Sequence, residues 1–349
     1  MIELIKKYIN NIGLPRLIIT LLFIGICVTA IIIGLPVGLL ASDVIRRFGM
    51  FGVLALAMVP AIQCGTGPNF ALPIGIICGL LGSLMTIEFG LTSPVLGYGF
   101  ISAVLISLPF AIISGWLYGI LLNKIKGSEM LVATYTGFSI VSFLQIGWVT
   151  LPFTHPEMRW PIGKGLRVTV SLESTFGGVL NRLWGINVGG VYIPTGLLLF
   201  FIGCCWLVWL FSRSKSGIEM ITAGANPKFA AAAGINVDKN RIIGTILSTI
   251  IGAIGIIVYS LSFGFLQLYL APLYMAFPAV AAVLIGGAST SKVKISHVII
   301  GTFLFQGLLT VALPVANQMF PEGNLSEVLR MIVQNGIILY ALTKMGGES

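Results

Sequence analysis

Long apolar runs separated by short polar breaks fill this chain. A helix needs roughly 20 apolar residues to cross the hydrocarbon of a bilayer, and ten runs are candidates: Leu17–Leu40, Gly49–Cys64, Ala71–Phe89, Gly97–Leu122, Met130–Leu151, Pro194–Phe211, Ile242–Phe265, Tyr274–Ala288, Ile295–Leu313 and Val328–Leu342. Two of them are short and broken, one by Pro60 and one by Gly286-Gly287. Such interruptions expose backbone that only protein or water can satisfy. The pattern predicts an all-α, polytopic membrane protein of about ten transmembrane helices, a single transmembrane domain over residues 1–349. Two polar stretches stand apart from the short turns. One is a long loop over 154–191; the other, 212–241, carries basic and small residues between two strongly apolar runs.

Composition agrees with the pattern. Hydrophobic residues are 57% of the 349 and charged residues only 9%, where soluble domains are roughly a quarter charged. The net charge of +9 therefore points to basic loops on one side of a membrane and not to nucleic acid. With the N-terminus placed in the cytoplasm, Lys6, Lys7, Arg16, Lys124, Lys126, Arg213, Lys215, Lys228, Lys239, Arg241, Lys292, Lys294 and Lys344 fall inside. Arg46, Arg47, Arg159, Lys164, Arg167, Arg182 and Arg330 fall outside. The bias predicts a multi-pass protein of the plasma (inner) membrane with both termini cytoplasmic, 154–191 outside and 212–241 inside. The N-terminal run is too long for a signal peptide and lacks a small-residue cleavage site, so it reads as a retained span. Cys27, Cys64, Cys78, Cys204 and Cys205 mostly sit in apolar runs, as small hydrophobes and not as a disulfide framework or metal site.

Chemistry on the chain itself finds no support. His155 and His297 are the two histidines, no Gly-Lys-Ser/Thr of a phosphate-binding loop occurs, and no metal-ligand spacing is present. Glu88, Glu129 and Arg330 sit near span ends, where ionisable residues reach water, so an ion-coupled secondary carrier lacks its usual mid-span charges. A membrane enzyme lacks a clustered acid, base or metal set. Span interiors instead hold neutral polar groups. Gln63, Asn69, Thr134, Gln145, Gln306 and Asn335 are the candidate translocation pathway for a small, uncharged polar solute, with Thr86, Thr136 and Gln334 in the wider set. Ser128-Glu-Met-Leu and Ser326-Glu-Val-Leu open the fifth and tenth runs, a weak sign of an inverted repeat.

Within 212–241, Asn226 is a good N-cap, Pro227 suits the first helical position, Ala230 to Ala233 propagate a helix, and Gly234 suits its end. The run from Ala223 to Val237, with its Gly224-Ala-Asn226 and Ala233-Gly234-Ile235, resembles the cytoplasmic segment of the permeases of binding-protein-dependent ABC importers, in the branch for simple sugars, nucleosides and branched-chain amino acids. Ala281 to Ser289, with Gly286-Gly-Ala-Ser289, resembles that family's apolar run into Gly-Gly-x-Ser, and Gly115 to Asn123 followed by Ala133-Thr134 its fourth-to-fifth span connection. Two stretches depart from it: Gly65-Thr-Gly-Pro-Asn-Phe70, and Thr290-Ser-Lys-Val-Lys294 after the glycines. The resemblance implies a non-enzymatic transport subunit that binds no cofactor, with ATP and Mg on a partner ABC ATPase. It also implies an extracytoplasmic solute-binding protein and a second permease, identical or related. Gly224, Asn226, Pro227, Lys228, Ala230, Ala231, Gly234 and Ile235 would form the ATPase-coupling helix. The solute expected is a simple sugar, with a nucleoside or branched-chain amino acid as alternatives.

Overall fold

The computed structural model describes residues 14–92, 97–160, 165–319, 328, 331–332, 334–339 and 343. Lys6, Lys7, Lys164, Arg330, Lys344 and most of the Ser326-Glu-Val-Leu motif lie outside them. Among the described residues, six helices are long and apolar enough to cross a membrane, and three shorter apolar helices accompany them. The first nine predicted spans each have a helix; the tenth falls partly outside the described residues, with 331–332 and 334–339 helical.

The first two spans are divided differently from expectation. Helix α1 (Leu14–Ile32) ends at Gly34, whose φ is +79°, and α2 (Val37–Leu56) begins after Pro36. The turn therefore lies at 33–36 and not at 41–48. Asp43, Arg46 and Arg47 are helical, with Asp43 and Arg46 paired at 2.7 Å one turn apart. Helix α2 runs almost directly into α3 (Met58–Gln63), and the joined stretch of 27 residues is about 40 Å long at 1.5 Å per residue. The joint has a chemical cause. Pro60 has no N–H to offer the Leu56 carbonyl one turn back, and at the adjacent residue the Ala57 carbonyl accepts the Ser248 hydroxyl at 2.7 Å.

Helices α4 (Leu72–Glu88), α5 (Tyr98–Lys124) and α6 (Glu129–Thr150) follow. The segment predicted as a long loop is structured. Its β1 (Thr169–Ser171) pairs antiparallel with β4 (Phe265–Gln267), α7 is a short turn at Val179–Arg182, and β2 (Ile186–Val188) forms a hairpin with β3 (Val191–Ile193). Gly189 and Gly190 both have positive φ, as a two-residue hairpin turn of this hand requires. Beyond it come α8 (Thr195–Arg213), α9 (Lys215–Ala225), α10 (Pro227–Ala232), α11 (Val237–Phe263), α12 (Leu270–Tyr274), α13 (Ala276–Ile285) and α14 (Ile295–Met319).

Of the six long apolar helices, α2 with α3, α11 and α14 are the most buried, while α5, α6 and α8 turn most of their surface outward. Helix α11 lies along α2, α4 and α5. Small residues let these backbones meet: a Cβ on Gly115 or Gly119 of α5 would come within 2.9–3.0 Å of the Cα atoms of Ile246 and Ile242. The basic turns gather at one end of the bundle, where Gly65–Gly67, Gly127–Leu131 and Thr290 share a cleft. The two small sheets occupy the other.

Candidate translocation cavity and coupling segment

The 212–241 stretch forms α9 and α10, and each start is capped by the residue type that suits it. Ser214 Oγ accepts the Gly217 N–H at 3.2 Å, and Asn226 Oδ1 accepts the Phe229 N–H at 3.0 Å. Pro227 occupies the first turn, where its missing N–H leaves nothing unsatisfied. The end of α10 is closed by the paired bonds of a Schellman motif: Gly234 N–H to the Ala231 carbonyl at 3.0 Å and Ile235 N–H to the Ala230 carbonyl at 2.9 Å. Gly234 sits at φ +79°, which suits glycine. Asn236 then caps α11 through the Lys239 N–H at 2.9 Å.

This fold sorts the candidate coupling residues. Ala230 is buried and Gly224 and Ile235 are half-buried, whereas Asn226, Pro227, Lys228, Ala231 and Gly234 are exposed. Phe229, which sequence reasoning did not single out, is 61% exposed on the same short helix. Its signal is visible afterwards: an aromatic among alanines in a polar segment.

The segment is joined to the spans by backbone contact and by charge. A Cβ at Gly224 would meet the Gln63 carbonyl and, at 2.6 Å, the Gly65 nitrogen, so α9 rests directly on the end of α3. Just beyond α10, Lys126 pairs with Asp238 at 2.5 Å and Arg241 with Glu129 at 2.5 Å. The Lys126 pair is half-exposed; in the other, Arg241 is only 8% and Glu129 19% exposed. Both tie the start of α11 to the α5–α6 turn.

Beside the middle of the α2–α3 stretch and the sheet-bearing end of α11 lies an open cavity of about 880 Å³. Phe51 of α2, Tyr259 of α11, Tyr274 of α12 and Phe277 of α13 give it aromatic walls. Phe51 and Tyr259 hold each other edge to face at 5.0 Å between centroids. Gln267 on β4, Gln306 on α14, and Gln334 and Asn335 in the C-terminal helical residues add amides. Arg47 of α2 adds a guanidinium.

Of the six pathway residues predicted from the sequence, Gln306 and Asn335 line this cavity. The other four lie elsewhere. Gln63 is at the basic end and accepts the Ser212 hydroxyl at 3.3 Å. Asn69 is buried, donating to Ser248 Oγ at 2.8 Å and accepting the Ala71 N–H at 3.0 Å, which places it in the network that fills the α2–α3 joint. Thr134 spends its hydroxyl on the Met130 carbonyl of its own helix at 2.9 Å, and Gln145 is half-buried on α6. Reading neutral polarity along a span finds such residues but not the direction they face. Arg47 was missed because its neighbourhood was read as a loop.

Two helices thus connect the two regions. From the α9 contact at Gln63–Gly65, the α2–α3 stretch leads to Phe51 and Arg47. From the ion pairs at Asp238 and Arg241, α11 leads to Tyr259. Displacement of α9 and α10 has a direct mechanical route to the cavity wall.

A 237-residue stretch, 66% of the chain, is 22% identical to the nucleoside ABC transporter permease protein NupB of Lactococcus lactis subsp. cremoris (strain MG1363) and takes in 63% of that relative's length. A solved structure described as an inward-facing conformation of a metal-chelate type ABC transporter aligns over 94% of this chain and 98% of its own, at 15% identity and a TM-score of 0.46. Residues 40–342 match the family described as the permease component of the branched-chain amino acid transport system. That match covers most of the chain and its apolar helices, and the protein belongs to this permease family of multi-pass membrane proteins.

Proposed function

We propose that this chain is the transmembrane permease of a binding-protein-dependent ABC importer and that its cavity passes a nucleoside. The observation that carries the reading is the cavity wall, where four aromatic side chains face a volume shared with Gln267, Gln306 and Asn335. Aromatic faces stack a flat base, and amides both donate to and accept from ring atoms and ribose hydroxyls. The similarity to a nucleoside permease supports the same choice. A simple sugar is the second reading, because amides and aromatic rings serve its hydroxyls and apolar face too. An amino acid fits less well: no carboxylate among the described lining residues meets an ammonium group.

In this mechanism ATP and Mg act on a separate cytoplasmic ATPase, whose closure moves the α9–α10 segment. Phe229, Lys228 and Ala231 face that partner, and the movement passes through Gly224 to the α2–α3 joint. A solute-binding protein delivers solute at the sheet-bearing end, and a second permease, identical or related, completes the channel. Both termini are cytoplasmic in the plasma membrane. Thiol labelling of Ser174→Cys from outside intact cells, with Ser216→Cys protected, tests this orientation; the reverse result contradicts it. Uptake of labelled uridine by cells carrying the importer, competed by other nucleosides and not by ribose or leucine, tests the solute. Competition by ribose alone would replace the nucleoside with a sugar.

A further inference from the structure

One group on the cavity wall is not needed for stacking or for amide recognition. Arg47 is half-buried within α2, in a stretch long and apolar enough to span the bilayer. Its neighbour Arg46 is neutralised by Asp43 at 2.7 Å, but Arg47 makes no hydrogen bond or ion pair among the described residues. The described lining of the cavity contains no acid to balance it. A cation held at membrane depth without a partner is costly and is retained where it faces water or a ligand. The cavity supplies the space for both.

We propose that Arg47 sets the charge selectivity of this pathway. Its guanidinium donates to an acceptor group on the solute, and its field turns cationic solutes away. The chemistry it recognises is a pair of acceptors in one plane, which the fixed fork of N–H donors matches. That pair is either the carbonyl and ring-nitrogen edge of a neutral heterocycle or the carboxylate of an anion. Lysine would keep the charge and lose the fork. The proposal rests on the cavity being the pathway and not on the solute being a nucleoside.

The test uses the full importer in membranes with a single thiol placed on the wall by Asn335→Cys. The native cysteines lie outside the described lining, and the parent chain gives the background. The thiol is modified with two methanethiosulfonates of similar size, one carrying a sulfonate and one a trimethylammonium. A unit charge about 10 Å away in solvated surroundings changes the ratio of their rates by roughly fourfold. Arg47→Gln should lower the anion-to-cation ratio by at least that factor, and Arg47→Lys should preserve it, at unchanged membrane levels. Millimolar cytidine, whose O2 and N3 are adjacent acceptors, and orotate, which carries a carboxylate, are then compared as the neutral and anionic protectants of the thiol. Protection by either one that Arg47→Gln abolishes supports the proposal and identifies the acceptor. An unchanged ratio would mean that the guanidinium reaches toward lipid headgroups, and protection that survives Arg47→Gln would mean that the solute does not touch it; each overturns the proposal. Cells that take up ribose and not uridine would refute the nucleoside reading while leaving the reagent ratio to decide Arg47.

Discussion

Replacing Gly224 with alanine adds one methyl group at the point where α9 rests on α3. That methyl would lie 2.6 Å from the Gly65 nitrogen and 2.8 Å from the Cys64 carbonyl carbon, where ordinary contact begins at 3.4 Å. The nearer approach is 0.8 Å short, and the Gln63 carbonyl oxygen is closer still. All three are backbone atoms. They are fixed by bonds from Cys64 N–H to Pro60 O at 3.0 Å, Gly65 N–H to Ile62 O at 3.1 Å and Thr66 N–H to Ala61 O at 3.2 Å. No side chain can rotate away, so α9 must retreat from α3. Overpacking of this kind costs about 1–3 kcal/mol, and each 1.4 kcal/mol is roughly a tenfold shift in equilibrium. Gly224→Ala should therefore shift the segment's equilibrium away from the seated state by about tenfold and lower uptake, with Gly224→Val worse. Membrane levels should stay near normal, since the residue lies outside the spans. The assay pairs solute uptake with binding-protein-stimulated ATP hydrolysis, using Ala225→Val, one exposed position further on, as the control for added bulk. Full uptake and full stimulated hydrolysis in Gly224→Val would refute the idea that force passes through this contact.

Bulk on the outer side of the same segment should act differently. Ala231→Trp adds an indole at an exposed position, so thermal stability in detergent should not change while stimulated ATP hydrolysis and uptake are lost; retained hydrolysis would show that no partner sits there. The Arg241–Glu129 pair is nearly buried, and removing one member leaves the other charge uncompensated, at about 3–5 kcal/mol. Glu129→Gln or Arg241→Gln alone should lower the melting temperature by several degrees, and the double variant should recover part of the loss; simple additivity would mean that the pair is uncoupled. Asn69→Ala should lower stability by about 1–3 kcal/mol through unsatisfied buried groups without changing solute protection of a cavity thiol. Gln306 is equally buried but lines the cavity, so Gln306→Ala should weaken that protection, and equal protection in both variants would remove the distinction between joint and cavity.

Much of this protein is legible in one dimension. Apolar runs of bilayer length, a 9% charged composition and basic turns at alternate breaks specify a bundle of membrane helices. In lipid each backbone must satisfy its own hydrogen bonds, and that is a local property. The coupling segment is legible for the same reason. Asn226, Pro227, Gly234 and Asn236 act on backbone groups within a few residues, so caps and turn follow from their order along the chain. Pro60 marks its joint by lacking one N–H. What lies across the bundle is not written locally. Asn69 and Gln306 are both neutral amides in apolar surroundings, yet one fills the α2–α3 joint through Ser248 and the other faces the cavity. Only the packing of α11 and α14 against α2 decides between them. Arg47 shows the same limit. A cluster of charges reads as a loop until Asp43 and Arg46 pair along a continuous helix, and Arg47 is left facing the cavity. Side-chain direction depends on the register of neighbouring helices, and register is set by contacts between residues far apart in the chain.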